Sequence, residues 1–292
     1  MTAHPPLHAA VWMIGAIVSF TAMAIAGRAL ADELDTFEIM TYRSFIGIAI
    51  VLGGAWWAQT LTQITRRSLH IHFIRNISHF TGQNLWFYAV TAAPLAQVFA
   101  LEFTSPLWVT VFAPIFLGER LTRVRALAAL LGFCGILIVA QPGSGVTLSP
   151  GLIAAALAAI GFAGAATFTR LLTRTETITC ILFYLTTMQA VFGLITAGFD
   201  GAIAWPSPAA WPWLVLVGCA GLVAHFCMTK ALAIAPATVV MPMDFARLPI
   251  IALVGMALYS EPLEWAVLAG AAVIFAANYL NIRGETRAHA AG

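Results

Sequence analysis

The chain has 292 residues, of which 61% are hydrophobic and only 9% are charged, and its mean hydropathy is +0.91. A soluble domain carries about 25% charged residues because its surface faces water, so this composition excludes an ordinary soluble domain and predicts a protein that lies almost entirely in lipid. The formal net charge is only +2. No basic cluster is interleaved with aromatic residues, so nucleic acid is not an expected partner.

Apolar runs follow one another along the whole chain. A spanning helix takes about 20 mostly apolar residues, and the sequence predicts ten such helices, near 9–29, 38–58, 72–91, 95–117, 124–140, 151–172, 179–197, 210–230, 237–258 and 264–282. Short segments with Pro or Gly separate them, so neighbouring helices are expected to be antiparallel. The first run ends in Ala29-Leu30-Ala31, which imitates a signal-peptide cleavage site. Its length and the absence of Lys or Arg before it favour a membrane span.

The basic residues predict the orientation of these spans. If the N-terminus is cytoplasmic, the outer segments hold only Arg28. The inner segments then hold ten basic residues, namely Arg66, Arg67, Arg120, Arg123, Arg125, Arg170, Arg174, Lys230, Arg283 and Arg287. Because Lys and Arg in short loops stay on the cytoplasmic side, we predict a multi-pass protein of a bacterial-type inner membrane with both termini in the cytoplasm.

The chain repeats itself at an offset of 142 residues. The matched pairs include Arg28 with Arg170, Tyr42 with Tyr184, Pro94 with Pro236, and Glu119 with Glu261. These matches predict two five-helix units, residues 1–142 and 143–292. Five is odd, so the second unit enters the membrane from the opposite side. The predicted fold is therefore an all-α integral membrane protein with ten transmembrane helices in two inverted five-helix repeats, an arrangement that supports alternating access to a midplane site.

A short motif after the fourth span carries a resemblance to a known family. It reads Phe116-Leu117-Gly118-Glu119-Arg120-Leu121, and its echo in the second half is Tyr259-Ser260-Glu261-Pro262-Leu263. The motif resembles the leucine-glycine-glutamate signature of the EamA type of the drug/metabolite transporter superfamily, and the five-plus-five layout is similar too. The echo departs from the pattern, with serine in place of glycine and a proline after the acid.

The resemblance implies a transporter of small metabolites. The layout is similar to that of bacterial amino-acid exporters, including those for aromatic amino acids. It therefore implies export of an amino acid, aromatic or large and neutral, by alternating access in the lipid bilayer, with no cofactor. The alternatives are export of another metabolite or a drug, or a passive channel.

The third predicted span carries polar side chains on one face. Arg75, His79, Gln83 and Trp86 share an arc at 3.6 residues per turn. A polar side chain within a span is costly, so it faces protein or a water-filled cavity. We predict that His79, Gln83 and Trp86 line the substrate site. The alternative is that His79 and Gln83 only hydrogen-bond to a neighbouring helix.

Four charged residues lie within predicted spans at related depths. Glu102 and Asp244 are equivalent at the offset of 142, Arg43 lies at about the depth of Glu102, and Arg247 follows Asp244 by three residues. We predict an outer ion pair of Arg43 with Glu102 and an inner pair of Asp244 with Arg247, which act as gates. Static neutralisation of buried charge is the alternative. The candidates for binding a coupling proton are Glu102, Asp244, His79 and His225.

Apolar residues of the fourth and ninth spans predict a second wall of the site. This wall, suited to the apolar body of a substrate, consists of Phe99, Phe103, Met241 and Phe245. Such stripes also occur as plain core. Pro106 and Pro249 each remove a helical hydrogen bond and are predicted as hinges.

No enzyme motif competes with the transport hypothesis. The sequence has no H-E-x-x-H, no G-x-S-x-G and no glycine-rich phosphate loop. The four cysteines form no C-x-x-C pair, so they are expected to be small core residues, and neither a disulfide nor a metal site is predicted.

Overall fold

The computed structural model describes residues 5–119, 122–140, 149–199 and 202–260, together with eleven positions between 265 and 280. The helices are α1 Pro5–Leu30, α2 Thr36–Trp57, α3 Leu69–Ala92, α4 Leu95–Glu102, α5 Ser105–Phe112, α6 Arg123–Ala140, α7 Pro150–Leu172, α8 Ile178–Ala197, α9 Trp211–Ile234, α10 Ala237–Met243 and α11 Arg247–Tyr259. No strand occurs in the described part of the chain, which confirms the all-α prediction.

Six described segments are long and apolar enough to cross a membrane. They are Leu7–Leu30, Thr36–Trp57, Pro150–Leu172, Ile178–Ala197, Trp211–Ile234 and Ala237–Tyr259. α3 has 24 residues, but its polar face makes it less hydropathic than these six, and Ser105–Leu117 and Ala126–Gly135 are shorter apolar helices. Much of the predicted tenth span, the loop at 141–148 and Glu261 to Leu263 of the echo lie outside the described residues. The number ten therefore stays a prediction.

Helix pairing follows the internal repeat. α1 packs along α9, α3 packs along α7, and α2 packs along α8. At the offset of 142, α1 corresponds to α7, α2 to α8 and α3 to α9. The α1–α9 contact is therefore equivalent to the α3–α7 contact, and the α2–α8 contact is equivalent to itself. A pseudo-two-fold axis between the halves produces this pattern.

Two arginines repeat one contact in both halves. Arg28 donates from Nε to the carbonyl oxygen of Val90 at 2.8 Å, and Arg170 donates to the carbonyl oxygen of Leu232. Both partners lie in the last turn of a helix, where carbonyls lack helical donors. Because donor and acceptor are each displaced by 142, the two halves share detailed structure as well as sequence.

Glycines bring α3 and α7 into backbone contact. A Cβ atom at Gly161 would lie 2.8 Å from the Cα of Gly82 and 2.8 Å from the carbonyl oxygen of Ser78. Small residues at such crossings let membrane helices approach closely enough for van der Waals packing to hold them. The polar helix α3 is therefore fixed against α7 of the other repeat.

The predicted fourth and ninth spans are interrupted helices. α4 ends at Glu102 and α5 begins at Ser105, while a 3-10 turn at Asp244–Ala246 separates α10 from α11. Pro106 and Pro249 have no N–H, so the carbonyls four residues earlier, on Glu102 and Phe245, lose their helical partners. Each predicted hinge proline thus lies just after a break. The predicted spans at 95–117 and 237–258 therefore each contain an interruption just before the proline that was predicted as a hinge.

Candidate functional site

A buried cavity lies between the two repeats at the level of the helix breaks. Its walls come from α1, α3, α7 and α9 and from the interrupted helices, and its volume is about 50 Å³. Eight of the predicted binding and gating residues line it: His79, Gln83, Trp86, Glu102, His225, Met241, Asp244 and Arg247. The repeats thus enclose a polar cavity, as inverted-repeat transporters do.

One arginine holds two carboxylates at the cavity wall. An Nη atom of Arg247 lies 2.6 Å from Oε1 of Glu102 and 2.6 Å from Oδ2 of Asp244. Trp86 donates from its indole N–H to Oε2 of Glu102 at 2.6 Å. The three charged side chains are buried. We call Arg247, Glu102 and Asp244 the ionic centre; it links the break in the first repeat to the break in the second.

The ionic centre corrects one sequence prediction. The pair of Asp244 with Arg247 forms as expected, but the predicted outer pair of Arg43 with Glu102 does not. Arg43 instead donates to Sδ of Met40 at 3.6 Å, and its guanidinium lies against Gly221 of α9. Matching depth in the membrane does not fix the direction a side chain takes, and Glu102 turns toward Arg247.

Three of the predicted wall residues pack around the ionic centre rather than line the cavity. The guanidinium carbon of Arg247 lies 4.9 Å from the ring centre of Phe99 and 5.2 Å from that of Phe103. The Phe103 and Phe245 rings are 5.7 Å apart. A cation over aromatic faces is stabilised by the ring quadrupole, so these rings support a buried charge.

Two histidines from opposite repeats meet in the cavity wall. The rings of His79 and His225 are 4.5 Å apart and nearly perpendicular. The Nε2 atoms of both histidines and of Gln83 are buried, and they make no hydrogen bond with any described residue. Buried polar atoms usually have a partner, so these three atoms keep unused hydrogen-bonding capacity beside the cavity.

Arg75 is a cavity residue to which sequence reasoning gave no role. It donates from Nε to Oγ1 of Thr169 at 3.1 Å and from Nη1 to Oδ1 of Asn76 at 2.8 Å. Among the described residues no carboxylate pairs with Arg75 or with Arg43. The position of Arg75 on the polar arc of α3 could have indicated a role in the site. The sequence did not show that no carboxylate would pair with it.

The other cavity residues give it an apolar side. Phe20 and Met23 of α1, Phe162 of α7 and Met228 of α9 line the cavity together with Arg75. Phe20 also lies against both His225 and Arg247. Apolar walls with a few polar groups are typical of sites for small molecules.

The glutamate of the leucine-glycine-glutamate motif lies away from this cavity and joins the repeats. Glu119 accepts hydrogen bonds from the backbone N–H of Ala237 at 3.4 Å and from Oγ1 of Thr238 at 3.2 Å. Its Oε1 is 3.7 Å from Nε of Arg170. The carboxylate therefore caps the N-terminus of α10, where helix N–H groups lack acceptors.

The inverted helices and the charged cavity between them define a membrane transporter. The profile of the EamA-like transporter family matches residues 7–141 and, a second time, residues 149–283. The chain belongs to this family, which confirms the resemblance drawn from the motif. It is a multi-pass membrane transporter and not an enzyme.

Curated relatives cover nearly the whole chain. An S-adenosylmethionine uptake transporter of Rickettsia felis is 26% identical over 95% of this chain and 93% of its own length. A riboflavin transporter of Brucella anthropi is 32% identical over 82% of this chain and 86% of its own. A pseudopaline exporter of Pseudomonas aeruginosa is 25% identical over 89% and 90%.

The fold has a counterpart among solved structures. One of them superposes with a TM-score of 0.75 over 93% of this chain and 95% of its own, at 18% sequence identity. A likeness at this identity shows the fold alone.

Proposed function

We propose that the protein exports a small metabolite that carries a carboxylate, most simply an aromatic or large neutral amino acid, across a bacterial inner membrane. The relatives are named for several substrates and for both directions of transport. The choice of substrate therefore rests on the cavity. The observation that carries it is Arg75, a buried cation in the cavity wall without a carboxylate partner among the described residues.

Charge balance in the cavity favours an anionic group on the substrate. Among the described residues at or beside the cavity, three arginines are buried, Arg43, Arg75 and Arg247, and two carboxylates are buried, Glu102 and Asp244. With all five ionised, one positive charge is left in a medium where uncompensated charge is costly. A substrate carboxylate at Arg75 would supply the missing charge, and a guanidinium binds carboxylates well.

The polar atoms near Arg75 and the apolar walls suit the rest of an amino acid. Nε2 of Gln83 and Nε2 of His79 lie free in the same wall and could hold the polar end. The apolar body would then contact Phe20, Phe162 and Met228. A small number of placed polar groups against an apolar surface fixes both orientation and specificity.

The cavity volume indicates a closed conformation. About 50 Å³ has room for a few water molecules but not for an aromatic amino acid. Substrate would enter when the walls separate on one side, and the breaks at Pro106 and Pro249 are the places where the helices can bend. We infer that the ionic centre, which spans both breaks, opens and closes with that motion.

The ionic centre and the two histidines are the groups that would bind a proton if transport is coupled to one. One guanidinium between two carboxylates leaves a negative charge that a proton could neutralise on Glu102 or Asp244. The contacting rings of His79 and His225 are the other candidates, since imidazole changes charge near neutral pH. Proton-coupled transport requires a group whose protonation differs between the two conformations, and these four side chains are the candidates.

Proteoliposomes test the proposal directly. Vesicles that contain the full chain are loaded with labelled amino acids, riboflavin and S-adenosylmethionine, and efflux is measured with and without a pH gradient. We expect saturable efflux of an aromatic or large neutral amino acid, faster with the gradient. Efflux of no amino acid from active vesicles would refute the substrate assignment, and non-saturable flux would favour a channel.

A further inference from the structure

A second polar cluster lies outside the cavity, where the N-terminal end of α3 meets the turn between α7 and α8. His72 comes from α3, Glu176 from that turn and Cys180 from the first turn of α8. One ligand atom from each side chain lies within 4.8 Å of the others, and Sγ of Cys180 is 3.9 Å from Nε2 of His72. The cluster joins the first repeat to the second.

The three side chains are a donor set for a transition metal. Zn²⁺ takes cysteine sulfur at about 2.3 Å, histidine nitrogen at about 2.1 Å and carboxylate oxygen at about 2.1 Å in tetrahedral geometry. Those lengths place ligand nitrogen and sulfur about 3.6 Å apart. The observed 3.9 Å between Cys180 and His72 is a few tenths of an ångström longer. The wider separations in the cluster, up to 4.8 Å, require Glu176 to move by up to about 1 Å to close around an ion.

Burial leaves the cluster with unused ligand capacity. His72 and Cys180 are fully buried and Glu176 is 9% exposed. Oε2 of Glu176 accepts a hydrogen bond from Oγ1 of Thr65 at 2.8 Å, whereas its Oε1 is buried and unpartnered among the described residues. The hydrogen bond from Thr65 thus fixes the orientation of the Glu176 carboxylate and leaves its other oxygen free. Groups around a metal site hold the metal's ligands in place in the same way.

Charge also favours a divalent cation here. Thiolate and carboxylate together carry two negative charges, which balance the two positive charges of the ion in a poorly hydrated place. Binding would release the thiol proton to water. Three protein ligands leave one tetrahedral position for water, as in zinc sites that keep an open position.

We propose that His72, Glu176 and Cys180 form a binding site for a divalent cation of the Zn²⁺ class, which ties the start of α3 to the α7–α8 turn. The sequence suggested no metal site because it has no cysteine pair, but the fold brings His72 to two residues more than a hundred positions further along the chain. The site is independent of the transported substrate.

Cobalt absorption tests the site in the full-length protein. The chain is purified in detergent, freed of metal with a chelator and titrated with Co²⁺ and then Zn²⁺. We expect one Co²⁺ per chain with a sulfur-to-cobalt charge-transfer band and tetrahedral visible bands, all of which Zn²⁺ abolishes. A spectrum without the sulfur band, or no saturable binding, would overturn the proposal.

Variants assign the ligands. Cys180→Ser should remove the sulfur band, and His72→Gln and Glu176→Gln should each weaken binding by at least about tenfold. Cys134→Ser and Cys227→Ser, which alter cysteines outside the cluster, should keep the band. Thr65→Val leaves all three ligands in place and should weaken binding by about tenfold or more through loss of the anchor on Glu176. Unchanged cobalt affinity in the His72 and Glu176 variants would contradict the assignment even if Cys180→Ser did not fold.

Discussion

Helices α3 and α9 hold equivalent places in the two repeats, yet they present different chemistry to the cavity. At the offset of 142, Arg75 corresponds to Val217, His79 to Gly221, Gln83 to His225, and Trp86 to Met228. The shared backbone arrangement provides the two inverted frames, whereas the substitutions provide the site. The α3 wall carries a cation and hydrogen-bonding groups, whereas the α9 wall carries no cation among its described residues and places one imidazole beside the apolar Met228. This difference suits a substrate whose charged end binds at α3.

The same divergence is found at the interrupted helices. Glu102 and Asp244 are equivalent acids, but Arg247 corresponds to Ser105, so only the second repeat supplies the cation. The difference teaches that the ionic centre is a contact between unlike halves. Where the two repeats differ, substitution of the residue that takes part in the ionic centre should therefore have a larger effect than substitution of its counterpart in the other repeat.

The largest effect on stability is expected for Arg247→Met. It leaves Glu102 and Asp244 buried without their cation, and removal of one partner of a buried ion pair costs about 3–5 kcal/mol. The unfolding temperature in detergent and the yield of monodisperse protein should both fall sharply. The counterpart variant Ser105→Ala should lose less than about 1.5 kcal/mol. Equal losses in the two variants would show that the ionic centre contributes no special stability.

A smaller loss is expected for Trp86→Phe. Phenylalanine keeps aromatic contact with Phe87 and Phe99 but cannot donate to Glu102. Hydrogen bonds to charged groups contribute about 1.5–3 kcal/mol, and thermal unfolding should show a loss in that range. Met228→Leu, at the equivalent position of α9, should cost less than about 1.5 kcal/mol. If the two losses are the same, the indole N–H is not important for the ionic centre.

Close packing of α3 on α7 is tested by Gly161→Ala. The added methyl would meet the backbone of Gly82 and Ser78, and overpacking of this kind costs about 1–3 kcal/mol. Gly54→Ala in α2 is the matched control, because a Cβ there meets nothing within 4 Å. The free energy of unfolding from chemical denaturation should be lower for Gly161→Ala than for Gly54→Ala. A neutral result at Gly161 would mean that the helices can move apart at no cost.

The smallest effect on stability is expected for Pro106→Ala. The new N–H can bond to the carbonyl of Glu102 and join α4 to α5, so transport should slow several-fold while the unfolding temperature changes little. Pro212→Ala, in the first turn of α9, where proline is well tolerated, should leave transport unchanged. Initial efflux rates provide the comparison, and wild-type rates in the Pro106 variant would argue against a hinge there.

Much of the frame was predictable because repetition and hydropathy are properties of the chain itself. The offset of 142 gave the relation between Arg28 and Arg170 and the equivalence of Glu102 and Asp244. Helical spacing placed His79, Gln83 and Trp86 on a single face, and all three line the cavity. These inferences needed only the repeat offset, the helical period and the polarity of the side chains.

The errors came from information that a linear pattern does not contain. Depth along the membrane suggested Arg43 as the partner of Glu102, but the rotation of each helix about its axis decides the contact. The arc that holds Phe99 and Phe103 could face a cavity or a neighbouring side chain, and the presence of Arg247 decides it. Residues as distant as His72 and Cys180 meet only because α3 packs beside the second repeat.

The most direct test of the central claim uses Arg75 and its counterpart. Efflux of the transported amino acid and of its amide is compared in vesicles that contain wild-type protein, Arg75→Gln or Val217→Ala. We predict that wild type and Val217→Ala prefer the acid, and that Arg75→Gln loses that preference by about tenfold or more. An unchanged preference in Arg75→Gln would contradict a site in which the polar helix of the first repeat binds the carboxylate.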